Sequence, residues 1–208
     1  MGKRDIILIG GGGHCRSCID VIESGQEFKV VGIVEQSGSN KAKSILGYPV
    51  LGYDNDLETI KNIYDCALIT VGQMGSSRTR QEIFNLVKKL GFMLPVIVSS
   101  LAHVSQHASI GEGSIVMHQA IVNAGARIGH NCILNTQCLV EHDATIGDHT
   151  HVSTAAVVNG GAVIGSGSFV GSNATIVQGI RLPDNHFYKA GSLIRSEKDG
   201  QLVKETLN

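Results

Sequence analysis

Glu141-His142-Asp143 is the triplet in this chain best equipped to move a proton. An imidazole titrates near neutrality, and a flanking carboxylate orients the ring and stabilises its protonated form. His142 therefore suits a general base, with Glu141 or Asp143 as acidic support. Asn135, His149 and His151 crowd the same stretch. Gly160 follows further on and can offer its backbone N–H to the oxyanion of an acyl carbonyl. No serine or cysteine stands in a nucleophile context, which points to direct transfer without an acyl-enzyme. A second constellation opens the chain, where Gly10-Gly11-Gly12-Gly13-His14 follows an apolar run. A glycine turn entering a helix gathers N–H groups and the positive end of the helix dipole, which suits phosphate. Glu35 lies roughly twenty residues later, where an acid can accept from a ribose hydroxyl. The dinucleotide pattern G-x-G-x-x-G is not met, because its third glycine position falls on Cys15 or Arg16. That favours a mononucleotide-type ligand over NAD, with a ligand-free glycine turn as the alternative.

The scaffold that must carry the first constellation is written in a six-residue rhythm. Val104, Ile110, Val116, Val122, Ile128, Leu134, Val140, Ile146, Val152, Val158, Ile164, Val170, Ile176 and Leu182 recur without a slip. Four residues after each of the first twelve comes a small or near-small side chain, from Ala108 and Ser114 through Cys132 and Cys138 to Ala174. This period fits neither a helix nor a continuous strand. It fits a chain that makes a short strand, turns a corner and repeats, a hexapeptide β-helix. Three sides close a triangular coil, so residue n stacks over n+18, with coils roughly 4.8 Å apart. Aliphatics point inward, and the small residues point inward near corners. Asn123, Glu141 and Asn159 then share a column, and Gly160 lies one coil above His142 at a corner. His142 and His151 are half a coil apart, so any cooperation between them crosses a subunit boundary. Flat prism faces associate about threefold axes, and a trimer is expected.

Residues 1–99 read as a different domain, a Rossmann-like α/β half-domain. Strands over Asp5–Ile9, Phe28–Glu35, Cys66–Val71 and Pro95–Val98 alternate with helices over His14–Ser24, Leu57–Ile63 and Arg80–Leu90, and a polar loop spans Ser37–Ser44. The β-helix is expected over 100–194 and a charged tail over 195–208.

Composition narrows the function further. A net charge of −1 over 208 residues gives no reason to expect nucleic acid as a partner. No apolar run approaches a membrane span, and no secretory h-region follows Lys3-Arg4. Five cysteines are an odd set, two of them at inward small positions. They read as reduced thiols of a cytoplasmic protein, with Cys15 and Cys18 as helix residues rather than a redox pair.

The chain resembles the NeuD/PglD-type hexapeptide-repeat sugar acetyltransferases along nearly its full length. The resemblance is carried by Gly10-Gly11-Gly12-Gly13-His14, Glu35, Val71-Gly72 followed by Arg80, and Gly91-Phe92. Above all it rests on Leu134-Asn135-Thr136 through Glu141-His142-Asp143 to His151-Val152-Ser153. It implies a left-handed β-helix trimer, with sites between subunits, that transfers acetyl from acetyl-CoA without a metal and serves surface-glycan synthesis. His142 matches the general base, Asp143 or Glu141 its support, and Gly160 the oxyanion donor. His14, Asn135 and His151 match residues lining the site. Gly11, Gly12, Gly13, Glu35, Gln36, Gly72 and Arg80 match the nucleotide-sugar site, and Gly160, Ala190 and Gly191 the acetyl-CoA side. Gln36 stands where relatives often have a second acid, and Ala190-Gly191-Ser192-Leu193 lacks the proline of Ala-Gly-x-Pro. N-acetylation of a nucleotide-linked 4-amino sugar is preferred, because an amine is the better nucleophile for a single histidine base. O-acetylation of a sialic-acid-like sugar is the alternative. Two other classes remain open: a zinc hydratase resembling the γ-carbonic anhydrases, suggested by nine histidines, and a non-catalytic nucleotide-sugar sensor.

Overall fold

A computed structural model of the chain describes residues 2–38 and 43–203. Part of the polar loop and the last five residues of the expected tail lie outside them. The opening unit is a sheet of five strands, β1 (Arg4–Ile9), β2 (Phe28–Glu35), β3 (Ser44–Ile45), β4 (Tyr48–Tyr53) and β5 (Cys66–Ile69), in the order β3-β4-β2-β1-β5. Its helices are α1 (Gly13–Ser24), α2 (Leu57–Lys61) and α3 (Arg78–Lys89). β1, β2 and β5 run parallel, as the strand–helix alternation predicts, and β4 joins them in parallel. The strand expected over Pro95–Val98 is absent from this sheet, because Ile97–Val98 pairs with Ile115–Val116 and starts the prism instead. The hairpin of β3 and β4 was not expected. Its two-residue turn is Leu46-Gly47, both at positive φ (47° and 86°), where Asn-Gly is the usual signal.

β1 is buried on both sides. Ile6 and Leu8 pack with Cys15, Cys18, Ile19 and Ile22 of α1, while Ile7 and Ile9 pack with Leu57, Val87 and Phe92. The five cysteines are buried and free.

From Ile97 the chain winds as a triangular prism of two-residue strands, each hydrogen-bonded to the strand eighteen residues on. The first face carries His103–Val104, Ile121–Val122, Leu139–Val140, Val157–Val158, Thr175–Ile176 and Leu193–Ile194. The second runs from Ser109–Ile110 to Arg181–Leu182, and the third from Ile97–Val98 through Ile133–Leu134 and His151–Val152 to His186–Tyr188. Gln201–Leu202 adds antiparallel to that last strand. Twelve of the predicted aliphatics, Val116 to Leu182, form one buried core with the small residues between them.

Two features of the corners follow from the same period. Gln119, Asn131, Gln137, Asp143, His149, Ala155, Asn173 and Asn185 all take left-handed φ of 53–60° at equivalent positions, which turns the chain. Gly111 and Gly147 are required for a different reason: a Cβ there would come within 2.7 Å of backbone atoms of the next coil. The polar members of the small set share one column and bond carbonyls fifteen residues on. Ser114 Oγ donates to Gly129 O (2.8 Å), Thr150 Oγ1 to Gly165 O (3.0 Å) and Ser168 Oγ to Pro183 O (3.3 Å). A buried hydroxyl without such an acceptor would be costly.

The two units meet on the third face. Its outward Ile97, Ile115 and Ile133 join the α1 cluster, so α1 is sandwiched between sheet and prism. Asp20 on α1 accepts from His118 Nε2 (2.9 Å), whose Nδ1 accepts from Ser99 Oγ (2.6 Å).

Candidate active site

His142 sits where the first prism face turns into the second, next to Asp143 in its left-handed corner conformation. Asp143 Oδ2 accepts from His142 Nδ1 at 2.9 Å. That bond leads the influences that raise the imidazole pKa above 6.5, with the charges of Asp143 and Glu141 adding to it. With Nδ1–H committed, Nε2 carries the free lone pair. Eighteen residues on, Gly160 lies against the ring: a Cβ there would be 2.6 Å from His142 Nε2. The stacking therefore brings a candidate base nitrogen and the backbone of Gly160 side by side, and any other residue at 160 would displace the ring. Glu141 accepts from Asn123 Nδ2 (2.9 Å) and from the His142 N–H (3.2 Å), which holds it in its column. His142 and Asp143 are mostly exposed, with side chains 60% and 72% accessible.

A cavity of about 400 Å³ opens at the C-terminal end of β1 and β2, lined by Gly10, Gly11, Gly12, Glu35, Gln36, Asp54, Val71, Gly72 and residues of α3. Gly11 makes room for the Glu35 carboxylate and the end of Ile45, which a Cβ there would overlap. Gly13 opens α1, and His14 follows with its Cβ against Gly72. His14 Nε2 is buried without a partner among the described residues, and burial, then Arg80 and His151, lower the ring's pKa to about 3. It is a neutral, unsatisfied group beside the cavity wall.

His151 directly precedes the inward Val152, so the six-residue period places it outward at the prism surface. It does leave the third face, but the segment following β5 covers it, leaving 7% exposed. Its Nδ1–H donates to Gln73 O (2.8 Å), and Asn135 Nδ2 donates to its Nε2 (3.2 Å). Burial, with a smaller effect of Arg80, lowers its pKa to about 4. The prism thus joins Asn135 to His151, but separates both from His142 by whole faces.

Arg80 departs from its expected place at the nucleotide-sugar site. It is 1% exposed and spans the seam. Nη1 donates to Ile69 O (3.1 Å) and Val71 O (2.7 Å), and Nη2 to Asn131 O (3.0 Å) and Oδ1 (2.6 Å). Asn131 returns Nδ2 to Arg80 O and His149 Nδ1. Burial lowers the guanidinium pKa to about 10, which leaves it charged at neutral pH. A buried cation among carbonyls is a joint between the units, and a site residue only through what it positions. Arg80→Met is expected to cost about 3 kcal/mol in urea unfolding, because the carbonyls would stay buried without their donor. An unchanged midpoint would show that the joint adds nothing. The sequence signal, an arginine at the start of a helix after Val-Gly, does not distinguish a phosphate ligand from such a joint.

Ala190 and Gly191 are exposed at the last corner of the prism, with Gly191 at φ 67°. Among the described residues no three His, Cys, Asp or Glu side chains converge as a metal site. No helix among them is long and apolar enough to cross a membrane.

The PglD N-terminal domain family matches residues 5–87. No curated protein matches the chain significantly. The solved acetyltransferase domain of PglB from Neisseria gonorrhoeae is 30% identical over 94% of this chain and 93% of its own, with a TM-score of 0.84. The same domain in complex with acetyl coenzyme A is 31% identical over 94% and 92%, with a TM-score of 0.83. PerB from Caulobacter crescentus, solved with CoA and GDP-perosamine, is 28% identical over 93% and 89%, with a TM-score of 0.85. The six-residue prism, the α/β unit in front of it and this full-length similarity agree. The chain belongs to the NeuD/PglD-like family of hexapeptide-repeat sugar acetyltransferases, whose second unit is a left-handed parallel β-helix.

Proposed function

We propose that this protein is an acetyl-CoA-dependent N-acetyltransferase acting on the amino group of a nucleotide-linked 4-amino sugar. The observation that carries the proposal is the corner itself: His142 Nε2 lies against Gly160 while Asp143 holds Nδ1–H. In the reaction the sugar amine attacks the thioester carbonyl, forming a C–N bond. His142 Nε2 takes the amine's proton, and the N–H of Gly160 receives the oxyanion. The C–S bond then breaks, and the proton passes from His142 to the departing CoA thiolate. The cavity at the glycine turn holds the nucleotide, with the dipole of α1 toward phosphate. N-transfer is favoured because the PerB structures described as GDP-perosamine N-acetyltransferase hold an amino-sugar nucleotide with CoA.

The active assembly is a trimer with sites between subunits. The nucleotide unit docks on the third face, whereas His142 occupies the prism edge opposite that face, so the sugar of one chain meets the histidine of another. The uncovered first face supports this, because its outward Ile121, Leu139 and Val157 form an aliphatic stripe, with Leu193 beyond Thr175 in the same column and Ile121 and Leu193 exposed.

The test is CoA release across a panel of UDP- and GDP-linked 4-amino sugars and free sialic acids. The proposal expects turnover with an amino-sugar nucleotide; turnover confined to sialic acids would overturn it in favour of O-transfer. The pH dependence has a definite sign. His142 must be neutral to act, and the Asp143 bond raises its pKa, so the acidic limb of kcat/KM, which titrates the free enzyme, lies above the ordinary imidazole range. Asp143→Asn removes the leading cause and should move that limb to lower pH while lowering the plateau. A limb that stays in place would detach Asp143 from the base.

A further inference from the structure

His151 has no nitrogen left for chemistry, and the groups around it leave its hydrogen-bond direction no freedom. At one end stands the Gln73 carbonyl, which can only accept, so Nδ1 must carry the proton. At the other end the Thr136 backbone N–H, which can only donate, bonds Asn135 Oδ1 at 2.8 Å. That fixes the Asn135 amide with its nitrogen toward His151 Nε2, at 3.2 Å. Two backbone groups of opposite polarity thus orient a chain running from Thr136 N–H through Asn135 and His151 to Gln73 O. Side-chain amide and imidazole assignments are often ambiguous, but here main-chain partners remove the ambiguity. Gln73 is itself clamped. It is 5% exposed, and its Nε2 donates to Ser168 O (3.1 Å), the carbonyl that also accepts from the His151 backbone N–H (3.0 Å). Phe169 closes the ring's other side edge-on, with centroids 5.1 Å apart. Gln73 directly follows Gly72 in the wall of the nucleotide cavity.

We infer that His151 is a positioning residue, locked as its Nδ1–H tautomer by Gln73, and that it makes Asn135 present its remaining Nδ2–H to an acceptor oxygen of the sugar, in the class of a ring hydroxyl. The reading rests on the proposed sugar substrate. The oxygen belongs to the sugar because the chain is anchored on the segment that walls the nucleotide cavity. His151 neither takes nor gives a proton in the reaction.

Glutamine carries an amide N–H₂ to donate and a carbonyl oxygen to accept at the reach of imidazole, so His151→Gln can restore both bonds, whereas His151→Ala restores neither. The expected result is a sugar KM at least tenfold higher in His151→Ala with a smaller change in kcat, recovery by His151→Gln to well above the alanine variant, and the same pH limbs in all three proteins. Asn135→Asp, which offers only acceptors, should raise the sugar KM at least tenfold. Loss of a pH limb with either His151 variant, or His151→Gln no better than alanine, would overturn the inference, as would an unchanged KM in Asn135→Asp. Long-range nitrogen–proton NMR of histidine-labelled wild-type protein reads the tautomer independently of turnover. A protonated Nδ1 and bare Nε2 at His151 support the lock, and the opposite pattern refutes it. A protein that acetylated no sugar but showed the lock would count against the proposed function, not against the orientation of the chain.

Discussion

His142→Ala should cut kcat by about 10²–10⁴-fold, the usual contribution of a positioned general base. It should leave the folded structure intact. The side chain is 60% exposed at a corner, outside the aliphatic core, so its removal opens no cavity. Its ring touches Gly160 and Asp143, both of which keep their backbone bonds without it: Gly179 N–H still reaches Gly160 O, and Asp143 N–H still reaches Ala124 O. The loss should fall on the chemical step, with kcat and kcat/KM lowered together. Thermal unfolding beside steady-state kinetics separates the two effects. Near-wild-type turnover would remove His142 from the mechanism, and a collapsed melting transition would mean that the corner is part of the stable framework.

Two inactive variants should rescue each other when assembled together. His142→Ala retains an intact nucleotide cavity, whereas Gly11→Val retains an intact corner but fills the space held by the Glu35 carboxylate and Ile45. If each site takes its cavity from one chain and its base from the next, random mixing around a ring leaves about one site in four with both parts sound. Co-refolded or co-expressed variants should therefore recover roughly a quarter of wild-type activity from two nearly silent parents. The expectation depends on the prism topology, which puts the docked α/β unit on one face and His142 on the opposite edge. Absence of rescue in verified mixed assemblies would mean that each chain completes its own site.

Much of this was legible because the β-helix is a periodic object. A six-residue period fixes which side chains enter the core, and eighteen-residue stacking alone places Gly160 over His142. What the period cannot report is which face another unit covers. His151 occupies an outward position, and only the segment ending at Gln73 makes it a buried, doubly bonded ring. Arg80 was misplaced for the same reason: an arginine near a glycine turn reads as a phosphate ligand until the prism delivers Asn131 to it. The β3–β4 hairpin hid behind a Leu-Gly turn that lacks the usual residue chemistry. The α/β half-domain itself was visible from alternating apolar runs and glycine stops, since those depend on local sequence alone.

The most direct measurement is the identity of the product formed from acetyl-CoA and a nucleotide-linked 4-amino sugar. One acetyl group should be gained on the sugar nitrogen, resistant to hydroxylamine as an amide is, with formation slowed about 10²–10⁴-fold by His142→Ala. A hydroxylamine-labile ester, or an amide formed equally fast without His142, would contradict the account.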